Sequence, residues 1–191
     1  MSTSDIERIT AADSDEFRAW LHEHHETADA VWLIYFRKDS DTPSITWSEA
    51  VDEALCYGWI DSKIQSLDND RYEQYFCPHK PTSPWSKVNK TKIAALQDAD
   101  RIQPAGAAAI ERAKANGSWT ILDDAENHIV PDDLADALDN ATTRDNFDQL
   151  PPSTRRNILQ WIVLAKRDDT RQRRIQQTAD AAANGETPNN L

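Results

Sequence analysis

Thr46-Trp-Ser-Glu-Ala-Val-Asp-Glu-Ala-Leu-Cys-Tyr-Gly58 runs directly into Trp59-Ile-Asp-Ser-Lys-Ile-Gln-Ser-Leu-Asp-Asn-Asp-Arg-Tyr-Glu-Gln-Tyr-Phe-Cys77, and the change of period between the two decides the fold. In the first stretch Thr46 and Glu49 form a capping box, and Trp47, Ala50, Val51, Ala54 and Leu55 make one apolar stripe ending at Gly58. A helix is predicted there. In the second, residues 60–67 and 71–77 have strand-like content and flank the turn formers Asp68-Asn69-Asp70, which predicts a β-hairpin. Simple alternation places Ile60, Ser62, Ile64 and Ser66 on one face, with Tyr72, Gln74 and Phe76 sharing a face of the partner strand.

Upstream, Val31-Trp-Leu-Ile-Tyr-Phe36 is a continuous apolar run, as expected of a strand buried on both faces. Before it, Asp13 and Glu16 open an amphipathic helix carrying Phe17, Trp20, Leu21 and His24. Downstream, Ser83 and Pro84 predict a helix start before Trp85, Val88, Ile93 and Leu96, and another helix runs from Pro104 to Gly117. Pro131 starts a short helix through Leu134 and Leu138, Pro151-Pro152 a stronger one through Ile158, Trp161 and Ile162, and Asp169 caps the last, closing at Gly185. The expected fold class is therefore α+β: a small antiparallel sheet with packed helices, followed by a helical C-terminal region. The divisions expected are an α+β region over 1–120, an acidic, partly helical and largely solvated connector over 121–149, a helical region over 150–186, and a flexible tail over 187–191.

The 191 residues carry 33 Asp and Glu against 21 Lys and Arg, a net charge of −12. That balance opposes binding held by phosphate neutralisation, so nucleic acid is not an expected partner. The charge is local, because residues 121–150 hold nine acids and one base, whereas 151–180 hold seven bases and three acids. The acids are 23 Asp to 10 Glu and the bases 13 Arg to 8 Lys, a bias suited to water of high salt activity, so a halophilic, salt-adapted source is expected. Leu, Ile, Val and Phe number only 35, but seven Trp and four Tyr at regular spacings argue for a lean, Trp-anchored core rather than disorder. No apolar run approaches membrane-spanning length, and Met-Ser-Thr-Ser-Asp-Ile-Glu lacks a basic or apolar leader, so a cytoplasmic location without membrane insertion is expected. Cys56 and Cys77 show no C-x-x-C spacing and read as two reduced thiols.

Few residue patterns point to chemistry. His22-Glu-His-His25 lacks the four-residue spacing of a metalloprotease helix, and no phosphate loop or nucleophile elbow occurs, so neither metal nor cofactor is expected. Glu49 and Asp52 read as a solvated helix face. Asp61 differs, because a carboxylate beside Trp59 and Ile60 must be paired or functional, and Arg71 across the hairpin is its natural partner. Lys87, Lys90 and Lys92 near Trp85, with Arg155, Arg156, Arg171, Arg173 and Arg174, could grip a nucleic acid, but the C-terminal arginines are better read as offsetting the acidic segment beside them.

Glu53-Ala-Leu-Cys-Tyr-Gly-Trp-Ile-Asp-Ser62, Arg71-Tyr72, Pro84-Trp-Ser-Lys-Val-Asn89 and Pro104-Ala-Gly106 are less generic, as are Leu150-Pro-Pro-Ser-Thr-Arg155, Trp161-Ile162, Ala165-Lys166 and Thr170-Arg171. In order and spacing they resemble the YdeI/OmpD-associated, or bacteriocin-protection, family over residues 10–186. The resemblance implies a link to antimicrobial-peptide tolerance or envelope stress, and no reaction, cofactor or catalytic residue. The expectation is a cytoplasmic, non-enzymatic stress-response protein that binds a protein or small-molecule partner. The alternative is a small-ligand binder or enzyme with a cleft near Trp59, Asp61, Arg71, Tyr72, Trp85 and Asn89. Nucleic-acid binding by the basic helices is a third, weaker reading.

Overall fold

The structure, a computed structural model, describes residues 6–188. Two compact units emerge. The first holds the described residues through Ser83 together with Val88–Asn116, and the second holds Pro84–Lys87 and the described residues from Gly117 onward.

The first unit is built on a four-stranded sheet of order β1-β2-β4-β3, with β1 Arg8–Thr10, β2 Val31–Phe36, β3 Trp59–Ser66 and β4 Arg71–Pro78. The pairings β2–β4 and β3–β4 are antiparallel as expected, but β1 pairs parallel to β2, so the sheet is mixed. Helices α1 (Ser14–His24) and α2 (Trp47–Cys56) follow β1 and β2 and lie on one face of the sheet. There Phe17 of α1 meets Phe76 edge-on at 5.4 Å, and Trp20 meets Trp59 at 5.8 Å. Phe17, Leu21, Leu33, Leu55 and Phe76 are wholly buried, each contributing about 2 kcal/mol by leaving water. Both helix starts are as the sequence spells them, since Asp13 accepts the Glu16 N–H and Thr46 and Glu49 close a reciprocal capping box.

Helix α3 (Lys87–Asp98) begins three residues after the expected Pro84, so Trp85 lies outside it. Helix α4 (Pro104–Ala115) has Pro at its start and packs on α2. Gly106 makes this packing possible, because a Cβ there would stand 2.2 Å from the Cys56 carbonyl oxygen. Gly58, at φ +73°, turns the chain from α2 into β3.

Beneath this packing lies a buried ion cluster. Glu53 of α2, 1% exposed, receives Arg18 of α1 at 2.9 Å and is also bound by Arg101. Asp52 pairs with Lys92 at 2.7 Å, and Glu49 is occupied in the capping box, so the acids of α2 all have structural partners.

The second unit is helical: α5 (Asp123–Glu126), α6 (Asp132–Asn140), α7 (Arg144–Asp148), α8 (Pro152–Val163) and α9 (Asp168–Ala183). The last starts one residue before the Asp169 expected to cap it, with Arg167 at the cap position. The acidic stretch is not merely solvated. Leu134, Leu138 and Phe147 are fully buried against Ile158, Ile162 and Ile175, while the acids face outward. Arg171 forks onto Asp133 at 2.7 and 2.8 Å, and Arg155 approaches Asp148 at 3.9 Å, so two of the expected arginines reach acids of that stretch, whereas Arg174 donates to the Trp161 carbonyl. Of the expected tail, residues 189–191 lie outside the described residues.

Candidate functional site

The sheet is longer than the helices that cover it. Past Phe76, the helix-bearing face continues through Gln74 and Tyr72 of β4 and reaches β3 at Asp61, Ile64 and Ser66. Pairing there is irregular, because Asp61 opposes Phe76 while Ile64 opposes Gln74. Three steps on β3 thus match two on β4, a β-bulge of one extra residue. The bulge corrects the simple alternation: Ile60 and Ser62 stay on the far face, whereas Ile64 and Ser66 turn to the helix face.

The uncovered end of this face is a cleft of about 520 Å³ lined by Arg37, Trp47, Asp61, Ile64, Gln65, Ser66, Tyr72 and Gln74. Its size suits a small organic ligand. Trp47, the first residue of α2, forms a wall at 47% exposure and donates its indole N–H to Asp61 Oδ2 at 3.0 Å. The capping box fixes where α2 starts, and so fixes this tryptophan. Gln74, 5% exposed, donates its amide N–H to the same Asp61 oxygen. Its own Oε1 is buried without a hydrogen-bond partner. Tyr72 stacks on Tyr35 at 4.9 Å and 7°, and the Arg37 guanidinium lies 5.7 Å from the Tyr72 ring. Beneath the cleft, burial and the nearby Tyr72 and Asp61 push the Tyr35 phenol far above its ordinary range, so it stays protonated.

The cleft thus joins aromatic and aliphatic walls to a carboxylate and an unfilled amide acceptor. A buried acceptor without a donor is costly, and a ligand bearing N–H groups relieves that cost. A further space bounded by residues 36–47 continues past Arg37, Trp47 and Tyr72.

Of the residues singled out in the sequence, Asp61 and Tyr72 share the cleft. Trp59 lies in the core at 1% exposure, its indole N–H donating to the His25 carbonyl at 3.3 Å. Arg71 does not reach Asp61; it forks onto Asp68 at 2.9 and 2.7 Å across the turn. Trp85 belongs to the second unit, buried with its ring 5.3 Å from that of Trp119, and Asn89 lies in α3. Sequence reading missed Arg37, Ile64 and Gln74. Gln74 did leave a signal, as an amide between Tyr72 and Phe76 on a core-facing strand side.

Among the described residues no group of three or more His, Cys, Asp or Glu is placed to hold a metal, and no helix is long and apolar enough to cross a membrane. Cys56 and Cys77 are both free thiols, each with its pKa raised by burial.

Residues 9–109 match the family model described as Domain of unknown function (DUF8412), and residues 127–185 match that described as Bacteriocin-protection, YdeI or OmpD-Associated. The expected family is thus found in the C-terminal helices, while the cleft and the blocks from Glu53 to Gly106 fall within the first match. No curated protein and no solved structure matches the chain.

Proposed function

We propose, for a chain that belongs to the DUF8412 domain family over residues 9–109 and to the YdeI or OmpD-associated, bacteriocin-protection family over 127–185, a role in small-ligand binding rather than catalysis. The bound molecule is apolar-bodied and presents N–H donors. The observation that carries this reading is the unfilled Gln74 acceptor beside Asp61, between Trp47 and Tyr72, in an open cleft. Binding is favoured over catalysis because Asp61 is already engaged by an indole and an amide, and among the described residues no histidine, thiol or second carboxylate lines the cleft. The name of the C-terminal family supports a part in bacteriocin protection, to which the proposal adds a cytoplasmic location and a wider role in antimicrobial-peptide tolerance or envelope stress.

Benzamidine, an aromatic ring carrying a fork of N–H donors, is a suitable probe. Titrated against the full chain, it shifts the Trp47 indole N–H resonance saturably, and Asp61→Asn weakens binding by about tenfold. No saturable shift, or equal binding by Asp61→Asn, overturns the reading. For the biological role, expressing the chain in a sensitive bacterium raises survival under a cationic antimicrobial peptide; the Trp47→Ala, Asp61→Asn variant does not.

A further inference from the structure

The opposite face of the sheet carries a second cavity, of about 590 Å³, at the end where β3 and β4 meet the loop after Pro78. Its chemistry is the reverse of the first. Lys63 and Lys80 line it, and neither makes an ion pair with any described residue. Two unpaired lysines in one cavity stand out in a chain with 8 Lys and a net charge of −12. They outnumber the one carboxylate present, Asp29. The Ser62 and Ser83 hydroxyls add donors that rotate to suit an acceptor.

The floor is aromatic. Trp32 and Tyr75 are cross-strand partners whose rings meet edge to face at 5.2 Å. Trp32 is 3% exposed, and its indole N–H is buried without a hydrogen-bond partner. An indole N–H can only donate, so only an acceptor relieves it. The bulge also serves this cavity, because Ser62 and Lys63 both fall between the Asp61–Phe76 and Ile64–Gln74 pairs and face Tyr75 together.

We infer that this second cavity binds a small oxyanion, carboxylate or phosphate, carried on an apolar or aromatic body. Lys63 and Lys80 supply the charge, the serines and the Trp32 N–H the hydrogen bonds, and the Trp32–Tyr75 pair the surface for the body.

The test uses the full chain labelled with nitrogen-15, following the Trp32 indole N–H resonance, identified by its disappearance in Trp32→Phe. Phenyl phosphate and phenylacetate are titrated as probes, with benzyl alcohol and benzylamine as neutral and cationic controls. At least one anion moves the resonance saturably, and the identity of the better one distinguishes phosphate from carboxylate. Lys63→Ala with Lys80→Ala, two surface changes that leave the core intact, weakens that binding by about tenfold. Three results overturn the inference: neither anion shifts the resonance, benzyl alcohol or benzylamine binds as well as the anions, or the double variant binds as the parent does.

Discussion

Replacing Gly106 with alanine sets two effects of opposite sign against each other. Gly106 sits in the first turn of α4, where helix propensity alone favours alanine by about 1 kcal/mol. Geometry opposes it, since the new Cβ would lie 2.2 Å from the Cys56 oxygen, 2.8 Å from the Cys56 carbonyl carbon and 3.0 Å from the Leu55 oxygen. These are backbone atoms with no rotamer to yield. Ordinary carbon–oxygen contact needs about 3.3 Å, so α4 must withdraw from α2 by about 1 Å, and a gap of that size forfeits up to about half of each dispersion contact. The side chains affected are Ala109, Ile110 and Ala113, all at most 5% exposed, and the Gln103 N–H would lose its 2.9 Å bond to the Cys56 oxygen. Overpacking of this kind costs about 1–3 kcal/mol and the lost hydrogen bond about 1 more, so after the propensity gain of about 1 the net destabilisation is about 1–3 kcal/mol. That lowers the melting temperature by roughly 2–12 °C. Thermal unfolding followed by circular dichroism reads the shift, and hydrogen exchange shows protection lost in α2 and α4. Gly117→Ala is the control. At φ +80° with nothing within 4 Å of its Cβ, it suffers backbone strain alone, about 1 kcal/mol. If Gly106→Ala is as stable as the parent, or milder than Gly117→Ala, the close-contact argument fails.

Glu53→Gln leaves Arg18 and Arg101 without their buried anion; because those arginines keep 28% and 41% side-chain exposure, water takes part of the load and the cost is about 2 kcal/mol by urea unfolding, with a neutral result counting against the cluster. Hydrogen bonds from Arg171 hold the Asp133 carboxyl below its ordinary value of 3.8, so its stabilising contribution is complete above that value and is lost as pH falls through the lower folded one; Asp133→Asn should flatten this acid limb, and an unchanged limb refutes the assignment. Burial raises both thiols, so at neutral pH iodoacetamide modifies half-buried Cys77 slowly and Cys56 only after unfolding, and rapid double labelling contradicts the packing. The Asp-rich composition predicts an unfolding midpoint that rises between low and molar KCl, and equal midpoints reject salt adaptation.

The elements that the sequence announced are those whose local chemistry and tertiary packing agree. Asp13 with Glu16, Thr46 with Glu49, and the run from Val31 to Phe36 each satisfy a local rule and bury the expected side. Strand β1 was hidden because three residues, Arg8–Thr10, are too few to show alternation, and their pairing depends on β2, more than twenty residues away. α5 and α7, of four and five residues, are likewise too short for a helical period. At the site, Asp61 was legible because a carboxylate beside Trp59 and Ile60 demands a partner. The partners themselves were not, because Trp47 is fourteen residues away on a helix and Gln74 sits across a strand pair. Arg71 was the nearer cation, but the turn offered it Asp68 first.

The single extra residue on β3 gives the strand two independently fixed halves. Trp59 anchors one in the core, and Ile64 and Ser66 register the other against Gln74 and Tyr72. Ser62 and Lys63 form the slack between them. Shortening the strand by one residue there would restore flush pairing without moving Asp61, Ile64 or Ser66 off the cleft face, yet would remove a group from the opposite cavity. Removing a residue after Ile64 would instead reverse the cleft's own wall. Chain length at this one point therefore acts as a specificity element, and the two faces of one sheet can be altered separately.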